Sequence, residues 1–252
     1  MARSKSMIVA LADIRMALKL RMVKWSLVLS AAFGPLMTIA LVAGPALVLT
    51  GPELELITSF MVPMAAALLA MFSIIPATMI SANALVGERE QSTLEPLLCT
   101  PLTDNELLWG KTLSSVLICS AILVLGTLAS TIGIAAILLV SGKQLIVFPD
   151  LPGLFMLAVV APIVLFGVVS LMIIISGRVQ RVYEAYQMSG AIIMIFMIPM
   201  LAPIISMESG AIGTSAIWMW NFVSFFLAVI VAVVTWAIAI KQFNRDRMVS
   251  LV

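Results

Sequence analysis

The chain is 252 residues long, 63% hydrophobic and 10% charged, with 14 basic and 12 acidic side chains and a formal net charge of +2. A mean hydropathy of +1.20 excludes a soluble domain and points to a polytopic membrane protein. The small basic excess leaves no nucleic-acid footprint, and the lack of histidine removes the commonest acid–base group and transition-metal ligand.

Charge spacing divides the chain. Uncharged intervals run over 25–52, 56–87, 112–142, 151–177, 185–207 and 209–240, each reaching the roughly 20 residues a helix needs to cross about 30 Å of hydrocarbon. Backbone groups in lipid must be satisfied within their own segment, so the pattern predicts an all-α, polytopic fold with six transmembrane helices. The alternating segments of a β-barrel are missing. With the N-terminus inside, 13 of the 14 Lys and Arg fall on the cytoplasmic side and only Lys143 outside, which puts both termini in the cytoplasm of a multi-pass plasma-membrane protein.

In chain order, Met1 to Lys24 interleaves Ile8, Leu11, Ile14, Leu18 and Val23 with Asp13, Arg15, Lys19 and Arg21, the pattern of an interfacial helix. Span one, about 25–49, carries Pro35 and Pro45, which a packed helix tolerates at the expense of a bend. Span two, about 56–86, contains Ala65, Ala66, Ala67 and Ala70, a small-residue face for close helix approach. Asn83, near its inner end, needs an interface partner. Span three covers about 112–140 and span four about 154–176, interrupted by Pro162. An amphipathic turn, Gly177 to Gln187, leads to span five at about 188–205, with Pro199 and Pro203 near its outer end. The segment 206–216 reads as a loop or a shallow re-entrant turn, and span six as 217–240. Trp25, Trp109, Trp218, Trp220 and Trp236, with Tyr183 and Tyr186, fall near span ends as interfacial anchors. Cys99 and Cys119 read as small buried hydrophobes and not as a disulfide.

The spans carry no ionisable residue in their cores, which disfavours proton- or ion-coupled transport. The one long charged interval between apolar segments is the connector Gly87 to Lys111, where seven of 25 residues are charged, and the tail KQFNRDR after span six is charged as well. Its ending, NELLWGKT over 105–112, imitates a phosphate-binding loop but has Asn105 where the first Gly belongs and no strand before it. Glu88, Glu90 and Glu95, the only acid cluster, are a poor metal set with no histidine nearby. Ser92 with Glu95, or Pro96 at a first helical position, starts a short helix presenting Leu94, Leu97 and Leu98 until Pro101 checks it. Thr103 then caps a second helix with Glu106 at the third position, and Leu102 and Leu107 form a staple. Capped, leucine-faced and rigid, the connector reads as a docking surface.

These residues resemble the permease subunits of ABC-2 type ATP-binding-cassette transporters. The Glu-Arg-Glu exit, the Thr-Leu-Glu, the Leu-Leu, the Thr-Pro and the closing Gly-Lys of GEREQSTLEPLLCTPLTDNELLWGK occur in that family's order. SGRVQRVYEAYQMSG, 176–190, resembles its turn into the fifth helix, and the N-terminal stretch its elbow helix. Ser92 departs from the commoner Gly. The resemblance covers the whole chain and implies a single transmembrane domain, 1–252, with an elbow helix over 1–24 and a cytoplasmic coupling segment over 87–111. It implies ATPase-coupling roles for Glu88, Arg89, Glu90, Thr93, Leu94, Glu95, Leu97 and Leu98. It further implies two separate ABC ATPase subunits holding ATP and Mg, a second permease copy or homologous permease, surrounding lipids, and no enzyme activity or cofactor in this chain. The expected function is that of an exporter or flippase. Glu184, Ala185, Gly190 and Pro203 partly match an importer motif, but Tyr186 breaks it and 191–203 is wholly apolar. A membrane scaffold or lipid-modifying enzyme is the alternative from another class.

Overall fold

A computed structural model describes residues 5–90, 103–179, 181–208 and 214–242. Among these, the regular structure is entirely helical: α1 Lys5–Ala17, α2 Arg21–Val48, α3 Pro52–Ala82, α4 Val86–Glu90, α5 Asp104–Val140, α6 Leu151–Ser176, α7 Val182–Glu208 and α8 Thr214–Gln242. Helices α2, α3, α5, α6 and α8 are long and apolar enough to cross a membrane. Helix α7, at 27 residues, has the length of a span and occupies the fifth uncharged interval.

Helix α3 is the centre of the bundle. It contacts α2, α5, α6 and α7, and 67% of its apolar window is buried, against 28% for α5 and for α8. The alanine run explains why: Ala65 and Ala66 are fully buried and Ala67 and Ala70 nearly so, letting neighbouring backbones close in where lipid gives helices no hydrophobic reason to associate. Gly167 does the same between α6 and α8, where an added Cβ would lie 3.3 Å from the Ala232 backbone.

Several boundaries differ from the hydropathy reading, each for a local reason. Span two ends at Ala82, and a turn at 83–85 separates it from α4. Span three begins at Asp104, because the capped connector helix and the membrane helix are one continuous 37-residue rod. Pro162 does not break α6: it follows a π-helical turn, Met156–Val160, in which the Ala161 amide donates to the Met156 carbonyl, so the missing proline donor is absorbed by a wider turn. Helix α7 starts at Val182, inside the expected inner turn, and runs through Pro199 and Pro203 to Glu208. The expected loop at 206–216 is thus partly helical at both ends, and its centre lies outside the described residues. Cys119 is a free, buried thiol, as expected.

Candidate functional site

The connector leaves α3 through a turn whose polar groups are met by the last residue of α6. Ser176 Oγ donates to the Ala82 carbonyl at 2.8 Å and lies 3.2 and 3.1 Å from the Leu85 and Val86 amides, which donate to it. A helix end otherwise leaves such groups unsatisfied. Asn83, at the same turn, donates from Nδ2 to the Tyr186 hydroxyl at 2.5 Å and to the Met79 carbonyl at 2.8 Å. The interface partner required for Asn83 is therefore Tyr186 of α7.

From this fixed turn, α4 directs Glu88 inward. Its Oε1 accepts from Lys111 Nζ at 2.6 Å, and the same ammonium donates to the Ala84 carbonyl at 2.6 Å. Asp13 Oδ2 of α1 stands 3.7 Å away. Lys111 is 1% exposed, and with two hydrogen bonds and one ion pair it is met by polar partners from three segments. An unpaired ammonium in such a place would be very costly.

The approach of α1 is set by Gly110. A Cβ there would lie 2.8 Å from Val9 Cβ and 3.0 Å from the Ser6 carbonyl, so only glycine admits α1 this close to α5. Val9, Asp13 and Ala17 recur at i, i+4 and i+8, on one helical face. Val9 and Ala17 are buried, and the register that seats Val9 on Gly110 brings Asp13 to Lys111.

Two carboxyls share one ammonium. Burial pushes both Asp13 and Glu88 above the ordinary carboxylate range, and the Lys111 charge pulls each back; the Asp13 charge raises Glu88 further. A cavity of about 160 Å³ adjoins the cluster, lined among others by Asp13, Lys19, Asn83, Glu88, Lys111 and Ser115.

Glu90 serves a different element. Its Oε1 accepts from the Val182 amide at 2.9 Å, placing a carboxylate at the N-terminus of α7, where the helix dipole favours it. At the far end of the connector, Thr103 Oγ1 accepts from the Glu106 amide at 3.3 Å, while the Thr103 amide donates to Glu106 Oε2 at 2.8 Å. This is the reciprocal capping box expected from the sequence, and Leu107 beside it is fully buried.

Of the eight residues assigned to coupling, Glu88 and Glu90 are thus anchored to packed structure. Arg89 is on α4, and Thr93, Leu94, Glu95, Leu97 and Leu98 lie outside the described residues, as do Leu102 of the staple and Cys99. Asp13, Ser176 and Tyr186 had not been singled out as site residues. For Asp13 a signal existed: an acid on the same α1 face as Val9 and Ala17. No sequence spacing connects Ser176 to residue 82 or Tyr186 to residue 83.

The imitation phosphate-binding loop is part of α5. Its backbone is helical from Asp104 and its lysine is committed to Glu88 and Ala84, so the residues do not fit a nucleotide.

A family signature described as ABC-2 family transporter protein matches residues 6–211, from the start of α1 through α7. The chain belongs to the ABC-2 transporter family. It is the family's permease domain, a multi-pass membrane component of ABC transport systems, and members are typically non-catalytic partners of ABC ATPase subunits within the lipid bilayer. No curated protein matches the chain.

Proposed function

We propose that this ABC-2 permease is the membrane half of an ATP-driven exporter or flippase, in which two copies, or one copy and a homologue, pair with two separately encoded ATPase subunits. ATP and Mg belong to those subunits. The whole chain, 1–252, acts as one transmembrane domain of six spans in the plasma membrane, with α7 as the fifth and both termini cytoplasmic. Helix α1 is its interfacial elbow. The segment 87–111 receives motion from the ATPase, with Glu88, Arg89 and Glu90 at its entrance and Thr93, Leu94, Glu95, Leu97 and Leu98 on its docking face.

The observation that carries this reading is the fixing of both ends of the connector. The entrance is held by Ser176, Lys111 and Val182, and the exit by the Thr103–Glu106 box and buried Leu107. Force applied to a segment pinned at both ends passes into α3, α5 and α7, where a flexible tether would dissipate it. An enzymatic alternative built on clustered acids gains nothing here, since Glu88 turns to Lys111 and Glu90 to the amide of Val182.

The test is co-purification of the permease with its cognate ATPase, with ATP hydrolysis measured in lipid nanodiscs. Leu97→Ala with Leu98→Ala is expected to weaken complex assembly and lower permease-dependent hydrolysis while leaving the permease folded. Full assembly and full hydrolysis in that double variant would overturn the coupling role.

A further inference from the structure

Lys111 joins two pieces of the molecule that the sequence keeps more than 70 residues apart. One is the connector, through Glu88 and the Ala84 carbonyl at 2.6 Å each. The other is α1, through Asp13 at 3.7 Å. The second link is built as carefully as the first, because α1 reaches Lys111 only where Gly110 omits a side chain against Val9.

We infer that Asp13 is a positioning residue for energy coupling: acting through Lys111, it binds α1 to the start of α5 so that α1, α4 and the inner end of α5 move as one body when the connector is pushed. The inference rests on the coupling role proposed for the connector and adds the element that travels with it. Three features support it. Lys111 and Glu88 are buried and Asp13 is largely so, and their charges interact with little screening. Lys111 is shared, so a displacement of Glu88 acts on the cation that also faces Asp13. The adjoining cavity of about 160 Å³ gives these side chains room to follow a displacement without a clash. Lys19, exposed at the cavity rim, supplies a further cation on the α1 side.

The experiment uses the full permease assembled with its ATPase in nanodiscs and compares Asp13→Asn with Asp13→Glu. A packing role favours Asn, which keeps the shape; an electrostatic tie favours Glu, which keeps the charge. The expected result is that Asn lowers permease-dependent ATP hydrolysis by about fivefold or more, that Glu restores most of it, and that both variants still capture the ATPase. Wild-type rates in Asn, or an equal loss in Asn and Glu, would overturn the inference. A second measurement needs no change in the cluster. Spin labels at Arg15→Cys and Leu117→Cys, exposed positions on α1 and α5, should report one unchanged distance in nucleotide-free and ATP-trapped complexes; a shifted distance would mean that α1 does not travel with α5. If the wild-type permease neither captures the ATPase nor alters its hydrolysis, the connector's coupling role itself fails and this inference falls with it.

Discussion

Lys111 shows how a single buried charge can organise a joint. Removing it by Lys111→Met leaves Asp13 and Glu88 buried without a cation, a change expected to cost about 3–5 kcal/mol and to appear as a large drop in folded yield and melting temperature in detergent. Protons should act in the opposite sense to the usual paired carboxylate. The folded pKa values of Asp13 and Glu88 lie above their unfolded values because burial outweighs the lysine. The folded state therefore binds protons more readily, and stability at these sites rises as pH falls through the raised values toward the ordinary carboxylate range. Denaturation midpoints measured across that window should increase on acidification for the wild type, and Asp13→Asn should show a shallower dependence. A steeper dependence in the variant would contradict the assignment. Gly110 belongs to the same scale: Gly110→Val drives a branched side chain into Val9 and the Ser6 carbonyl, with an expected loss of about 1–3 kcal/mol and detachment of α1, readable as faster proteolysis near Ala17.

At the scale of elements, both ends of the connector are held by identifiable hydrogen bonds. Thr103→Ala removes one half of the capping box and should cost about 1 kcal/mol, frequently visible as fraying of the first turn of α5 in amide exchange. Ser176→Ala leaves the Leu85 and Val86 amides without their acceptor inside the bundle, and about 1–3 kcal/mol is expected, with exchange protection lost at 85 and 86 first. Local chemistry of this kind was partly legible. The Thr103–Glu106 box could be read because both partners lie within one helical turn. The Ala65–Ala70 face could be read because small residues in an apolar span have one common use. The ends of α3, α5 and α7 could not, because uncharged intervals mark where lipid is tolerated and not where a helix starts: α5 begins eight residues before its apolar interval, and α7 includes Glu184. Nor do prolines announce whether a π turn will absorb them, as happens before Pro162.

At the scale of the molecule, composition alone reached the all-α membrane class, since so apolar a chain with long uncharged intervals has few other stable forms. The connector stood out for the same reason in reverse. What stayed hidden was the tertiary pairing that anchors the entrance of the connector: Asp13 with Lys111, Ser176 with the turn at 83–85, Tyr186 with Asn83. Each joins residues from different helices, and nothing in a one-dimensional pattern specifies which helix faces another. With these contacts in place, the end of the bundle next to the connector is a body fixed to α1, α3, α5, α6 and α7, while α8 joins it through Trp236, whose ring lies 4.4 Å from that of Trp109. Motion entering at residues 94–98 would therefore reach nearly every span. The most direct test is a photo-crosslinking amino acid at Leu97 in the permease–ATPase complex. The account predicts capture of the ATPase from Leu97 and none from Val147, an exposed position beyond α5 at the opposite end of the bundle. An assembled complex in which Leu97 never captures the ATPase would contradict it.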